Sequence, residues 1–467
     1  MNKYLVVIVV FITSFSFAQT QDSITLSFSE YLGYVKKFHP IAKQAELTIP
    51  IGQANLMKAR GAFDPKFEID SERKKFKNLE YFDLLNATFK IPTWYGVELK
   101  GNFEHNEGFF LNPQANMPDN GLYSAGISAS LGQGLLINER MADLKKAKFF
   151  REQTVADREI LVNQILFDAS LAYFNWLQTY NETRIFEQFL INSRIRFLGV
   201  KRSAENGDKA AVDSVEAGIT VKIRTLGLEQ AKVKLMKASL DLSTYLWLND
   251  DTPVELRPNV IPDAFIEDSV DEVLEISGLP LTEFVLENHP KLRSLNLKFR
   301  GLEVDKRLKA NKLLPLVNVQ YNFLTEDIDI ARSFNTNQYK GGFSIAFPLF
   351  LRKERGDLRL AKFKLQDAQF DISNARITIQ NKVLALYREL ESFKIQNELI
   401  EDIVKDYSTM LSAEERKFSF GESSLFLINS RERSLIDSQL KAIEVQNKYL
   451  TTKAKLFNSL SRDLQNL

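Results

Sequence analysis

Apolar residues in the last third of the chain recur at alternating intervals of four and three. The positions of this stripe, all apolar or aromatic except Asn397, are Ile379, Val383, Leu386, Leu390, Phe393, Asn397, Ile400, Val404, Tyr407 and Leu411. A repeat of 3.5 residues is the period of a left-handed supercoil, in which side chains of one helix enter holes on its neighbour. Since no proline occurs from Lys353 to Phe418, the pattern predicts a continuous helix of roughly 64 residues, about 96 Å long at 1.5 Å per residue.

A second long helix is predicted from about Glu139 to Arg202, where proline is again missing. Both long helices end at turns that contain glycine, residues 206–208 (Asn-Gly-Asp) and 420–422 (Phe-Gly-Glu). Glycine at such points suits a positive-φ helix cap. A returning helix follows each turn, from Ala211 to about Trp247 and from Leu425 to about Leu460. The chain is therefore expected to contain two long helical hairpins.

The segments before the long helices alternate with the period of two that strands show. Residues 339–349 and 315–323 place large apolar side chains on one face and small or polar ones on the other, and residues 123–131 repeat the pattern. An apolar outer face and a polar inner face are typical of a barrel between lipid and water, although a soluble half-buried sheet shows the same alternation. One chain has too few strands to close such a barrel, so several chains are expected to contribute.

Residues 77–120 include a segment that has no counterpart in the second half of the chain. Alternation over residues 87–91 and 95–99 predicts an extra hairpin, and residues 106–120, which are rich in Asn, Gly and Pro, predict an exposed loop. The pattern leaves open whether this hairpin joins the wall formed by the other strands.

The two halves are copies of one unit. The pairs at an offset of 214 residues are Asp143 and Asp357, Tyr173 and Tyr387, Arg202 and Arg416, and Gly207 and Gly421. His39-Pro40 and His289-Pro290 repeat at an offset of 250 residues, so the first copy holds about 36 extra residues. A duplicated unit that cannot close a core alone indicates a symmetric assembly.

The first residues and the composition narrow the class of protein. Residues 1–18 combine Lys3, an apolar stretch and small residues before Gln19, which predicts a secretory signal peptide cleaved after Ala18. The chain has no cysteine, so disulfides and thiolate sites are excluded. A formal charge of +1 gives no reason to expect nucleic acid as a partner. Beyond the signal no apolar run is long enough for a spanning helix.

No motif of the sequence indicates an enzyme or a cofactor. His39 and His289 each precede a proline at a helix start, which indicates a structural junction. His105 lies alone near the predicted loop. Metal-ligand spacings, phosphate-binding glycine loops and nucleophile motifs are missing from the sequence.

The order of these segments resembles the TolC family of outer-membrane efflux proteins over nearly the whole mature chain. The shared features are a signal peptide, two repeats of helix, strand pair, long helix and returning helix, a Pro-Leu-Phe tract at residues 348–350, and a glycine at each hairpin tip. The resemblance implies a mixed, mainly α fold, in which duplicated long helical hairpins form an α-barrel tunnel and strand pairs form a trimeric transmembrane β-barrel of twelve strands. The implied segments are 1–18 (signal), 19–249 (first repeat), 250–280 (equatorial linker, expected as an irregular belt) and 281–467 (second repeat).

The resemblance further implies a homotrimer in outer-membrane lipid, with its helical tunnel in the periplasm. Such a trimer is the passive exit duct of a tripartite efflux pump or a type I secretion system. Its partners are a periplasmic adaptor (membrane fusion protein) and an inner-membrane transporter of RND, ABC or MFS type. The alternative is a periplasmic adaptor or coiled-coil scaffold without channel activity, but an adaptor should have one hairpin inserted in a β domain.

Residues near the tips carry the expected docking and gating functions. By resemblance, the adaptor docks at Gly207, Asp208, Gly421 and Glu422. Asp213 occupies the family's gating carboxylate position, whereas Phe418 and Ser423 stand where the family offers a hydroxyl and a cation. A substitute cation for Asp213 is sought among Arg416, Lys417, Arg431 and Arg433. Asp213 also fits a first-turn carboxylate favoured by the helix dipole.

Overall fold

The computed structural model describes residues 23–276, 286–327 and 335–461. Its helices are α1 (Phe28–Phe38), α2 (Pro40–Arg60), α3 (Glu139–Glu205), α4 (Ala211–Ser243), α5 (Ile266–Val273), α6 (Pro290–Asn311), α7 (Arg352–Ser419) and α8 (Leu425–Leu460). Its strands are β1 (Ile24–Leu26), β2 (Lys66–Phe76), β3 (Leu79–Pro92), β4 (Val97–Glu107), β5 (Leu122–Gly132), β6 (Val260–Pro262), β7 (Leu316–Thr325) and β8 (Tyr339–Ala346).

The two predicted helical hairpins are confirmed. α3 has 67 residues and α7 has 68, so each extends about 100 Å at 1.5 Å per residue. α4 packs along α3, and α8 packs along α7 and also along α3. The first returning helix ends at Ser243 rather than near Trp247, because the backbone there turns to pair Trp247 with Pro253.

Among the described residues, no helix is both long and apolar enough to cross a membrane.

A single antiparallel sheet contains the strands of both repeats, in the order β2-β3-β4-β5-β7-β8. The extra hairpin of the first repeat, β3 and β4, therefore joins this sheet, which answers the question that the alternation left open. One chain therefore has six strands in this sheet rather than the four implied by a twelve-stranded trimer. The alternation predicted a strand over residues 339–349, but β8 ends at Ala346. Residues 347–349 therefore lie outside the strand.

The core of the chain lies halfway along the long helices. The N-terminal segment and the inter-repeat segment meet there, where β1 pairs in parallel with β6. α1 and α5 pack against the middle of α3 and the end of α8, burying Tyr31, Tyr173, Ile266 and Phe457. The expectation of an irregular belt is thus wrong for residues 260–276, because the apolar side of α5 requires a regular helix to reach this core.

Candidate functional site

The tips of the two hairpins have the same backbone geometry. Gly207 and Gly421 have φ values of +86° and +78°, which favour glycine. The amide of Asp208 donates to the carbonyl of Ser203 at 2.9 Å, and that of Glu422 donates to the carbonyl of Lys417 at 2.9 Å. This bond joins residues five apart, as in the Schellman cap that satisfies orphan carbonyls. The four predicted docking residues therefore lie, exposed, at the ends of both hairpins.

Side chains of the first tip contact the second. The Lys209 ammonium lies 3.6 Å from the centre of the Phe418 ring, a cation–π contact. Behind it, Val200, Ala217 and Leu425 form a small buried cluster. Phe418 thus lacks a hydroxyl, but its ring binds the Lys209 ammonium of the neighbouring hairpin.

Among the described residues, the gate candidates form no ion pair with one another. Asp213 is half-buried in the first turn of α4, and within the described part of one chain it makes no ion pair with Arg416, Lys417, Arg431 or Arg433. Ser423 donates its hydroxyl hydrogen to Glu414 at 2.5 Å. Arg416 is exposed, and its guanidinium donates to the carbonyl of Ser412 at 3.4 Å. A cation partner for Asp213 stays a prediction.

A different group of charges joins all four helices of the hairpins. Glu432 of α8 is 1% exposed, and its carboxylate lies 3.3 Å from Arg196 of α3 and 3.2 Å from Arg224 of α4. Arg196 also reaches Glu415 of α7 at 3.0 Å. We call Arg196, Arg224, Glu415 and Glu432 the four-helix ion cluster. Because one carboxylate is buried between two guanidinium groups, the loss of Glu432 removes the charge that both arginines share and leaves Arg196 with the exposed Glu415.

The sequence contains a signal for this cluster that the predictions missed. Glu432 falls four residues after Ile428 and three before Leu435, both buried apolar residues of the α8 stripe. Arg196 and Arg224 occupy corresponding places on α3 and α4, each four residues before a buried apolar residue. Charged residues at core positions of three neighbouring helices are costly unless they meet, so their coincidence indicates an internal ion cluster.

The two proline-flanked histidines lie at helix starts, as their positions predicted, and each one caps its helix. The Ile41 amide donates to Nδ1 of His39 at 3.2 Å, and the Lys291 amide donates to Nδ1 of His289 at 3.1 Å. Nε2 of His289 lies 3.2 Å from the Ser459 carbonyl. Burial lowers the pKa of His39 and of His289, which favours the neutral ring that can accept the cap bond.

Acidification should therefore weaken the protein through these two caps. In the unfolded chain each histidine has a pKa near 6.5, so below that pH the unfolded state binds more protons than the folded state. The stabilisation is complete above about pH 6.5 and is lost as the pH falls through the lowered folded pKa. We expect thermal unfolding midpoints to fall between pH 7 and pH 5.

A double variant tests the origin of this pH dependence. His39→Asn with His289→Asn keeps a capping side chain but removes the titrating ring, so its unfolding midpoint should fall less between pH 7 and pH 5. His105→Asn, which keeps both caps, should follow the wild-type profile. Equal slopes for the double variant and the wild type would refute the assignment.

Residues 281–462 match the family described as Outer membrane efflux protein. Among curated protein sequences, none matches this chain. Three similar solved structures are CmeC from Campylobacter jejuni, VceC from Vibrio cholerae and MtrE from Neisseria gonorrhoeae, each described as an outer membrane channel or outer membrane protein. Their identities to this chain are 13%, 12% and 14%, and their TM-scores are 0.66, 0.65 and 0.66. The alignments cover 93%, 94% and 94% of this chain and 85%, 97% and 89% of theirs.

The fold is that of outer membrane channels with long helical hairpins. Residues 281–462 of the second repeat match the outer membrane efflux protein family, and the chain as a whole shares the fold of these solved structures.

Proposed function

We propose that this protein is the outer-membrane exit duct of an export system, conducting substrate passively from an inner-membrane transporter to the cell exterior. The observation that carries the proposal is the direct connection between the sheet and the helical hairpins. The sheet has one apolar and one polar face. Its strands β5 and β8 lead directly into α3 and α7, each about 100 Å long. The apolar face of the sheet can contact lipid. We call the two helical hairpins the stalk, and they are long enough to extend such a duct from the outer membrane across the periplasm.

Three copies of the chain would form the working channel. Many apolar side chains on the helices are exposed in one chain, including Ile191, Ile195, Ile219 and Leu399. Such long exposed stripes need a partner surface, and copies of the same chain supply it in a symmetric assembly. The tunnel would lie in the periplasm and the sheet in outer-membrane lipid.

The hairpin tips are the proposed docking surface for a periplasmic adaptor. Gly207, Asp208, Gly421 and Glu422 lie at the end of the stalk farthest from the sheet and are exposed. An efflux pump and a type I secretion system both require an adaptor and a transporter at this end, of RND, ABC or MFS type. The adaptor alternative for this chain itself is disfavoured, because the chain has two hairpins and a six-stranded sheet.

Electron microscopy of the detergent-extracted mature protein tests the duct directly. We expect three-fold rods over 100 Å long with a hollow axis, which is about what the helix rise and a membrane-spanning sheet require together. The protein should also fractionate with the outer membrane. Compact or solid particles, or a soluble fraction, would contradict the duct and favour a scaffold.

A further inference from the structure

The extra hairpin continues the apolar face of the sheet. On this face β2 presents Phe67 and Ile69, β3 presents Phe89, and β4 presents Leu99, opposite Ile127 of β5. These five side chains are all at least 43% exposed. The remaining strands carry the same band, with Val319, Tyr339, Phe343 and Ile345. An uninterrupted band across six strands indicates that all six face the same apolar medium.

The opposite face of the same six strands is polar and concave. Lys90 of β3 pairs with Glu68 of β2 on this face. The Lys340 ammonium of β8 reaches Glu104 of β4 at 3.5 Å, although β5 and β7 lie between their strands. A side chain on Gly126 of β5 would come within 2.1 Å of the Tyr321 carbonyl, which marks a sharp bend where the two repeats meet. The sheet therefore curls around its polar face.

The turn of the extra hairpin is anchored on the helices. Trp94, between β3 and β4, stacks on Phe63 at 5.7 Å and packs against the cluster of Ile137 and Met141 at the start of α3. Asn138, which caps α3, donates to the Trp94 carbonyl at 3.1 Å. Because this turn is packed into the junction of sheet and stalk, the hairpin is a built part of the wall.

The two edges of the sheet match each other. β2 and β8 each pair on one side only in the described chain. All neighbours in the sheet are antiparallel, so with six strands β8 runs opposite to β2. A β8 edge can therefore pair antiparallel with the β2 edge of another copy, which removes both open edges.

We propose that three copies close into one sheet of eighteen strands, in which β8 of each copy pairs with β2 of the next. This inference rests on the proposed trimeric duct. Six strands from each of three copies give eighteen, and the perimeter is about half as large again as that of twelve strands, because barrel size grows with strand number. The strands have 8 to 14 residues, near the 9–11 that cross a bilayer.

The widened lumen would be lined by charges of both signs. Lys66, Lys90 and Lys100 share the polar face with Glu68 and Glu98, and Glu98 pairs with Arg140 of α3. Closed sheets of 16–18 strands leave room for water. The narrowest part of the duct, which limits the size of an exported molecule, would then lie between the helices rather than in the membrane.

Disulfide cross-linking in the assembled protein tests which edge β8 meets. The native chain has no cysteine, so introduced pairs are the only thiols. Cysteine at Ser71 of β2, combined in turn with cysteine at Gly341, Phe343 or Ile345 of β8, should give covalent dimers and trimers with at least one partner. All four positions lie on the apolar face. Three positions on β8 are used because the register between β8 of one copy and β2 of the next is unknown.

A second set of cysteine pairs tests the alternative, a barrel wall of twelve strands. If β2 and β3 lay outside the wall, β4 would be the open edge, and cysteine at Gly101 would cross-link to the same β8 positions. A Cβ added at Gly101 would meet no atom within 4 Å, so the substitution fits. Cysteines at Ala129 and Val319, directly opposite in β5 and β7, should form a disulfide within one chain and serve as the positive control.

The outcomes separate this inference from the proposed function. Hollow trimers with eighteen strands in electron microscopy, and cross-links from Ser71 only, support the inference. Hollow trimers with twelve strands, or cross-links from Gly101, overturn it and leave the duct intact. Particles without a hollow three-fold axis overturn the duct and the eighteen-stranded wall together.

Discussion

Replacing Glu432 by alanine should destabilise the protein by about 3–5 kcal/mol, the usual cost of removing one partner from a buried ion pair. The carboxylate is 1% exposed, whereas Arg196 and Arg224 are 12% and 11% exposed. Without it, two guanidinium groups stay largely buried with no opposite charge between them. Thermal or denaturant unfolding of the purified protein measures the loss.

Glu415→Ala is the matched control for this prediction. Glu415 contacts the same Arg196, at 3.0 Å, but is 46% exposed. Exposed ion pairs contribute about 0–1 kcal/mol, so this variant should unfold close to the wild type. A Glu432→Ala protein as stable as Glu415→Ala would show that the four-helix ion cluster does not hold the hairpins together.

A triple variant separates charge from packing. Arg196→Met, Arg224→Met and Glu432→Leu together replace the buried charges by apolar side chains, an exchange that is often neutral or stabilising. We expect this protein to regain most of the stability lost in Glu432→Ala. If the hairpins must separate to open the duct, Glu432→Ala should also raise single-channel conductance, whereas Glu415→Ala should not.

Tyr173→Ala should cost about 3–5 kcal/mol, the range for a large aromatic side chain deleted from a core. Tyr173 is fully buried and packs on Phe28, Tyr31 and Trp176, with ring centroids 5.2–5.5 Å apart. Its hydroxyl donates to the Leu26 carbonyl at 2.7 Å. Unfolding midpoints measure the cost.

The hydroxyl of Tyr173 joins the N-terminal segment to the inter-repeat segment; we call β1, β6 and α5 together the belt. The hydroxyl also accepts a bond from the Asp263 amide at 3.1 Å, so it holds β1 and the end of β6 together. Burial raises its pKa well above the usual value, which keeps the hydroxyl protonated as a donor. Tyr173→Phe should therefore cost about 1–3 kcal/mol, because it leaves a buried carbonyl and a half-buried amide without this partner.

The duplication supplies the control for Tyr173. Tyr387 is the equivalent residue of the second repeat and is half-buried, so Tyr387→Ala should cost less than Tyr173→Ala. Limited proteolysis adds a local readout, since Tyr173→Phe should expose residues 250–276 to cleavage before the helices unfold. If Tyr173→Ala and Tyr387→Ala lowered the stability equally, the main core would not be centred on Tyr173 of the first repeat.

Local patterns in the sequence determined the helices, the caps and the duplication. The heptad stripe and the missing prolines predicted α3 and α7, and glycine predicted the tips at Gly207 and Gly421, because these features depend on residues within a few positions of one another. The same holds for the histidine caps. Alternation likewise identified β3, β4, β5, β7 and β8, whereas β1, β2 and β6 were not predicted.

Tertiary structure alone decided which of these pieces meet. Alternation marks the two faces of a strand but not its neighbours, so the merging of all six strands into one sheet was undetermined by pattern. The four-helix ion cluster joins residues up to 236 positions apart, and the belt joins Leu26 to Asp263 through Tyr173. Such contacts arise from packing between distant segments, whose partners the periodicity of one segment does not specify.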